Sequence, residues 1–172
     1  MNAATEMPLA CRAIRGATTA VANTAEDILE ATQEMVTALI RLNDLVVDEV
    51  VSAIFTTTPD LTATFPALAA REVGWTEVPL LCSHEMAVPG ALTKAVRVLL
   101  HVNTRRSAAQ IRHVYLNGAR QLRPEWAVDE VELATLLGRP RTGVSEAPAS
   151  AFQPDQATMP LAPAGNIRGE TT

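Results

Sequence analysis

The sequence lacks the features of secreted and membrane proteins. Its two cysteines, Cys11 and Cys82, lie far apart and form no CxxC pair, so a disulfide scaffold is excluded. Their apolar surroundings favour buried free thiols in a reducing compartment. No apolar run approaches the ~18 residues of a membrane span, and residues 1–10 lack the basic and apolar regions of a signal peptide. We therefore expect a cytoplasmic protein without a membrane partner.

Lysine is almost absent, and acidic residues outnumber basic ones. The formal net charge is −5, which argues against a nucleic-acid partner or a basic membrane-binding patch. Lys94 is the single lysine among 14 basic residues, so arginine, which is planar and permanently charged, supplies nearly every cation. Apolar residues make up 48% of the chain. That fraction allows a buried core to offset the conformational entropy lost on folding.

Motifs for cofactor binding and for nucleophilic or metal-dependent catalysis are also missing. The chain has no GxGxxG, Walker A, HExxH or GxSxG sequence. His101 and His113 fall in predicted strands and are interpreted as half-buried core residues rather than metal ligands. Ser83 and His84 are neighbours on a strand and point to opposite faces, so they do not form a relay. We predict no metal and no cofactor.

Composition divides the chain into three parts. Five of the 11 prolines follow Gly138, in a stretch with little hydrophobic periodicity, which is typical of disorder. We predict a flexible N terminus over residues 1–10, one domain over 11–137 and a disordered tail over 138–172.

Within the domain, apolar and β-branched runs predict strands, and apolar residues at helical spacing predict helices. Thr24 is placed as a helix N-cap, with Glu26 and Asp27 in the first turn. Asn117-Gly118 is a hairpin-like signal. The order of elements indicates α+β or α/β, with one mixed sheet covered by helices on one side. Strands are predicted over 9–20, 50–58, 78–82 and 95–103 with two short ones around 117–118, and helices over 25–42, 65–73, 91–94 and 124–137.

One face of this sheet is left uncovered. Two substantial helices cannot cover both faces of five or six strands, yet the strands are apolar on both faces. We expect another subunit to bury the second face in a closed symmetric oligomer. The C-terminal helix, over about 128–137, is either a lid or interface element or a cap on the sheet edge.

Charged residues at strand ends are the remaining candidates for chemistry. Arg97 lies inside the apolar strand AVRVLLHV, where a lone charge is costly without an anionic partner. Arg15 lies beside a glycine that lets a ligand approach the backbone. Each has a simpler explanation: a structural ion pair for Arg97, a solvated strand end for Arg15, an exposed turn acid for Glu85 and a core aromatic for Tyr115.

Five segments together resemble the AroH-class, monofunctional chorismate mutases. They are RAIRGATT, TTTPDLTATFPALAAREVGW, VPLLCSHEM, AVRVLL and QIRHVYLNGARQLRP, in order from about Arg12 to about Trp126. The resemblance implies an α+β fold and a homotrimer whose sheets pack into a pseudo-α/β-barrel, with active sites at the subunit interfaces. It also implies the isomerisation of chorismate to prephenate, which leads to phenylalanine and tyrosine.

The resemblance assigns roles to the charged residues. Arg15 is expected to bind the substrate's side-chain carboxylate and approach the ether oxygen. Arg97 is expected to be the main catalytic cation at that oxygen. Glu85 is expected to accept a hydrogen bond from the ring hydroxyl, with Cys82 beside it, and Tyr115 to donate to a carboxylate.

The resemblance also implies a pocket lining and a charged mouth. Arg71 and Arg123 are expected at the mouth, on the ring carboxylate. The family often has a lysine where this chain has Leu68, so one cation at the rim is missing. The expected lining residues are Phe65, Ala67, Val78, Leu81 and Leu122.

The reaction is a unimolecular [3,3] rearrangement, which needs no nucleophile, general acid, general base or metal. It needs a fixed, folded substrate and a cation at the oxygen that gains negative charge in the transition state. Three alternatives stay open: a RidA-type trimeric enamine or imine deaminase, a catalytically inactive ligand-binding trimer and a purely structural trimer. A deaminase of that type needs one carboxylate-binding arginine and a water-activating acid, and it gains nothing from a second buried guanidinium.

Overall fold

The strands form where apolar and β-branched residues run together, and they make one mixed sheet. The computed structural model describes residues 7–139. The spatial order of the strands is β3-β2-β4-β1-β5. β4 is antiparallel to β1 and β2, whereas β3 pairs with β2, and β5 with β1, in parallel. The predicted mixed sheet is confirmed. Its strands are β1 (Ala10–Thr19), β2 (Val50–Thr57), β3 (Leu80–His84), β4 (Ala95–Thr104) and β5 (Val114–Tyr115).

Residues 1–6 and 140–172 lie outside the described residues. Most of the predicted N-terminal segment and nearly all of the predicted tail over 138–172 fall there, and the domain boundaries stay a prediction. No helix between residues 7 and 139 is long and apolar enough to cross a membrane.

The helices begin and end at residues suited to capping. In α1 (Ala25–Asn43), the Thr24 hydroxyl accepts a hydrogen bond from the Asp27 N–H (3.1 Å), as the sequence predicts. α2 (Ala67–Glu72) follows Pro66. α3 (Glu130–Leu137) begins after Asp129, whose carboxylate accepts from the Glu132 N–H (2.7 Å). The predicted helix over 124–137 is therefore split, because a separate 3-10 turn, Pro124–Trp126, precedes α3.

The core lies between the sheet and α1. Ile14, Phe55 and Leu100 project from the sheet, Met35 and Leu39 project from α1, and all five are fully buried. α2 and α3 both pack against α1. All three helices therefore belong to one side of the sheet, as predicted, and this burial of apolar surface stabilises the fold.

Two predicted elements are wrong. The hairpin around Asn117-Gly118 is instead a 3-10 helix, Asn117–Leu122, because its residues bond to the end of β1: the Gly118 N–H donates to the Thr19 hydroxyl (3.1 Å). The helix near 91–94 does not form. Lys94 has a left-handed backbone (φ 51°), which a right-handed helix excludes, and its N–H donates to an Asp60 carboxylate oxygen (2.8 Å).

Among residues 7–139, no α-helix lies over the other face of the sheet, and the 3-10 helix Asn117–Leu122 packs against it, at β1 and β5. One residue from each of four neighbouring strands forms a row across this face. From β3 to β1 the row runs Leu81, Ile54, Leu99, Arg15. Leu81 is 56% exposed and Leu99 is 36% exposed. The predicted buried strand over 78–82 is thus found two residues further along the chain, as β3. It lies at the sheet edge and exposes Leu81 on the open face.

Candidate active site

An ion pair on the open face joins β3 to β4. In β4, Arg97 lies between Thr56 of β2 and Ala17 of β1. Glu85 directly follows β3, and its N–H donates to the Thr57 carbonyl (2.8 Å). Arg97 Nη1 lies 2.8 Å from Glu85 Oε2, and both side chains are about a quarter exposed, at 24% and 26%. Arg97 is therefore paired with an anion, as the cost of burying its charge requires.

Both oxygens of the Glu85 carboxylate are held. Oε2 faces Arg97, and Oε1 accepts a hydrogen bond from the Thr56 hydroxyl. Arg97 Nε is buried and has no hydrogen-bond partner among the described residues. Thr56 escaped the sequence analysis because it is one of three consecutive threonines, and only the strand register singles it out.

Arg15 and Tyr115 lie on the neighbouring strands. Arg15 pairs with Leu99 of β4, two residues along the strand from Arg97, and its side chain belongs to the same open face. Ala17 pairs with Arg97 on one side and Tyr115 on the other. Tyr115 is 1% exposed. Ala17 thus lies between Arg97 and Tyr115. The structure brings these two residues, Glu85 and Arg15 to one region of the sheet.

His113 and Trp126 connect Arg15 to Arg123. The Arg15 backbone N–H donates to His113 Nδ1 (3.0 Å). The centroids of the His113 and Trp126 rings lie 4.1 Å apart. The Arg123 guanidinium lies over the Trp126 ring, 3.8 Å from its centroid. Burial, together with the positive charges of Arg15 and Arg123, lowers the pKa of His113. The imidazole is therefore neutral at pH 7, with Nδ1 as acceptor.

The expected lining residues lie in two different environments. Phe65, Leu81 and Leu122 are exposed apolar residues, at 69%, 56% and 37%. Ala67 and Val78 are buried at 8% and belong to the core on the helix side. The sequence prediction did not separate these two groups.

Arg71 and Cys82 also lie apart from Arg97 within one chain. Arg71 is an exposed residue in the last turn of α2, and α2 packs against α1 on the covered side. Cys82 pairs with Phe55 and packs against the core. The described chain therefore presents the expected site as two separate parts.

A cavity among the described residues is not lined by Arg97. It has a volume of about 480 Å³, opens at one end of the sheet and is lined by residues that include Thr19, Lys94 and Asn117. Within residues 7–139, no group of three or more His, Cys, Asp or Glu side chains is placed to hold a metal ion. The chemistry that the open face offers is that of fixed guanidinium groups and a fixed carboxylate.

Comparison with known proteins gives one consistent family. The family model for chorismate mutase type I matches residues 11–126. Chorismate mutase AroH of Bacillus subtilis (strain 168) is 45% identical over 115 residues, which cover 66% of this chain and 91% of that protein. Chorismate mutase AroH of Thermus thermophilus is 44% identical, with coverage of 66% and 94%. A solved chorismate mutase from Clostridium thermocellum aligns with a TM-score of 0.63 and 50% identity, over 64% of this chain and 98% of that one.

Proposed function

The chain belongs to the chorismate mutase type I family, and from that premise we propose how its residues and its assembly catalyse the reaction. Its activity is that of an isomerase in aromatic amino-acid biosynthesis, which converts chorismate into prephenate. A C–O bond breaks while a C–C bond forms within one molecule. The deaminase and the inactive trimer gain no support from the three relatives named above, each of which is a chorismate mutase.

In this proposal Arg97 is the cation at the breaking ether oxygen. Negative charge grows on that oxygen only in the transition state, so a fixed guanidinium stabilises the transition state more than the bound substrate. The support is the fixed position of the Arg97 guanidinium. Glu85 holds its Nη1 at 2.8 Å, and the Arg97 backbone belongs to β4, the central strand of the sheet. This anchored pair on an otherwise open face is the observation on which the proposal depends.

Glu85 accepts a hydrogen bond from the ring hydroxyl in this proposal. The carboxylate is already oriented by Thr56 and Arg97, and a carboxylate can accept about four hydrogen bonds, so acceptor sites are left for the substrate. Its orientation before the substrate arrives lowers the entropic cost of the bound geometry.

Arg15, Tyr115 and Arg123 hold the two carboxylates of chorismate in this proposal. Arg15 binds the side-chain carboxylate and reaches towards the ether oxygen, Tyr115 donates to a carboxylate, and Arg123 lies at the mouth. Planar guanidinium groups suit this task because they bind carboxylates in a bidentate manner and stay charged on burial. Holding both carboxylates keeps the enolpyruvyl arm over the ring.

The open sheet face supports a homotrimer with sites between subunits. Leu81 and Leu99 are exposed on that face in one chain, and a second copy that covered them would bury apolar surface. α2 and Cys82 lie on the covered side, away from Arg97 of their own chain. We assign Phe65, Ala67, Arg71, Val78 and Cys82 of each site to the neighbouring subunit, and Leu81 and Leu122 to its lining. A cytoplasmic location stays a prediction.

The experiment follows the loss of chorismate absorbance in the ultraviolet and the mass of the protein in solution. We expect chorismate to be consumed and prephenate to form without added metal or cofactor. Sedimentation is expected to give three times the 18.4 kDa of one chain. Purified protein that leaves chorismate unchanged would contradict the proposed activity, and an active monomer would contradict the interface site.

A further inference from the structure

Trp126 contacts three residues of the proposed site at once. Its ring centroid is 4.1 Å from that of His113 and 5.7 Å from that of Tyr115. The Arg123 guanidinium carbon lies 3.8 Å from the same Trp126 ring centroid. Trp126 is partly exposed, in contrast to Trp75, which is 1% exposed in the core.

The turn that carries Trp126 is fastened to the sheet. Within the turn, the Trp126 N–H donates to the Arg123 carbonyl (2.9 Å). Two residues further on, the Val128 N–H donates to the carbonyl of Tyr115 in β5 (3.1 Å). Pro124 stands at the start of this 3-10 turn and fixes its φ. The backbone that carries the indole ring is therefore hydrogen-bonded to β5.

Arg123 has little else to fix its position. Its Nε contacts Glu125 at 2.7 Å, but both side chains are largely exposed, at 41% and 56%, and such surface pairs add little stability. The guanidinium carbon lies over the Trp126 ring at 3.8 Å from its centroid, a distance at which cation–π attraction is effective. The ring is thus the stronger of the two contacts that hold this guanidinium.

We propose that Trp126 is a positioning residue, which aligns Arg123 and Tyr115 for the carboxylates of the substrate. The inference rests on the proposed function, in which both residues bind carboxylates. Through His113, which accepts from the Arg15 backbone N–H, the same ring also contacts the strand that carries Arg15. Trp126 touches no reacting atom, so its loss affects the capture of substrate more than the chemical step.

The test compares Trp126→Leu with Trp126→Phe, because leucine keeps apolar bulk and loses the aromatic face, whereas phenylalanine keeps a weaker one. We expect Trp126→Leu to raise KM about three- to tenfold with kcat changed by less than about twofold, and Trp126→Phe to stay within about twofold of wild type. Trp75→Phe is the matched control. It removes the other tryptophan from the core, and we expect a lower Tm without a change in KM.

A double-variant cycle with Arg123→Ala distinguishes positioning from packing. Because part of the Trp126→Leu effect passes through Arg123 and the rest through Tyr115, we expect the rise in KM of the double variant to be smaller than the product of the two single rises. Independent multiplication of the two effects, or identical behaviour of the Leu and Phe variants in an active enzyme, would overturn the inference and leave the proposed function intact. A wild-type protein that leaves chorismate unchanged would overturn both.

Discussion

Arg97 is a charge in the central strand of the sheet, and Glu85 offsets the cost of its partial burial. A lysine at this position keeps the charge but lacks the planar fork that reaches Glu85 and a substrate oxygen together. We expect Arg97→Lys to lower kcat by on the order of 10²–10³, comparable to removal of one oxyanion donor in other enzymes. The change is measured in steady-state assays of chorismate consumption.

The control for this variant is Arg112→Lys. Arg112 pairs with Glu132 at the surface and is 52% exposed, so we expect near-normal kinetics. Near-normal turnover of Arg97→Lys would show that position and geometry matter less than charge, contrary to the proposal.

Thr56 orients Glu85 through one hydroxyl. Valine has nearly the same shape without the donor, and serine restores it. A lost hydrogen bond to a charged group costs about 1.5–3 kcal/mol, so we expect Thr56→Val to lower kcat/KM at least about tenfold and Thr56→Ser to recover most of it. If Ser and Val variants were equally impaired, packing at β2 rather than the hydroxyl would be responsible.

His113 makes stability depend on pH. Burial and the charges of Arg15 and Arg123 lower its pKa in the folded chain, so the unfolded chain binds a proton there first as the pH falls. The free energy of unfolding should therefore decrease as the pH drops below about 6.5 and level off below the folded-state pKa. Urea titrations of wild type and His113→Gln between pH 7 and pH 5 measure how the free energy of unfolding changes with pH. A variant with the same pH slope as wild type would exclude His113 as the cause.

At the scale of elements, the sequence predicted those whose cause is local. α1 has its cap at Thr24 and apolar residues at helical spacing, and its start agrees with the structure. Residues 117–122 were mistaken for a hairpin because their conformation depends on hydrogen bonds to Thr19, about a hundred residues away. The same applies to the site. Arg97 and Glu85 were recognisable from the motifs, but Thr56 and Trp126 depend on strand register and on stacking that no local pattern records.

α3 packs against α1, with Leu133 8% exposed between them. Arg139, just after the helix, pairs with Glu34 of α1 at 2.5 Å. This placement, on α1, favours a structural role over a lid. We expect Leu133→Ala to lower the free energy of unfolding by about 2–4 kcal/mol and to leave KM and kcat unchanged at temperatures well below its Tm. A rise in KM without loss of stability would instead favour the lid.

At the scale of the whole molecule, the proposed site needs residues from more than one chain. Arg97 and Glu85 lie on the open face, whereas Arg71 lies on a helix of the covered side. In the proposed trimer the two sets come together where the open face of one subunit meets the edge of the next. A closed ring of identical subunits provides this contact at every site.

Mixing two inactive variants tests this arrangement directly. Arg97→Ala removes the cation from the open face, and Arg71→Glu places a negative charge at the mouth, facing a dianion; we expect each variant alone to be strongly impaired. After the two are unfolded together and refolded in equal amounts, random assembly leaves roughly a quarter of interface sites with both wild-type residues, so about that fraction of wild-type activity should return. Separately refolded and then mixed variants are the control, with no recovery expected before subunits exchange. If co-refolded mixtures stay inactive while sedimenting as trimers, Arg71 and Arg97 of one site belong to the same chain.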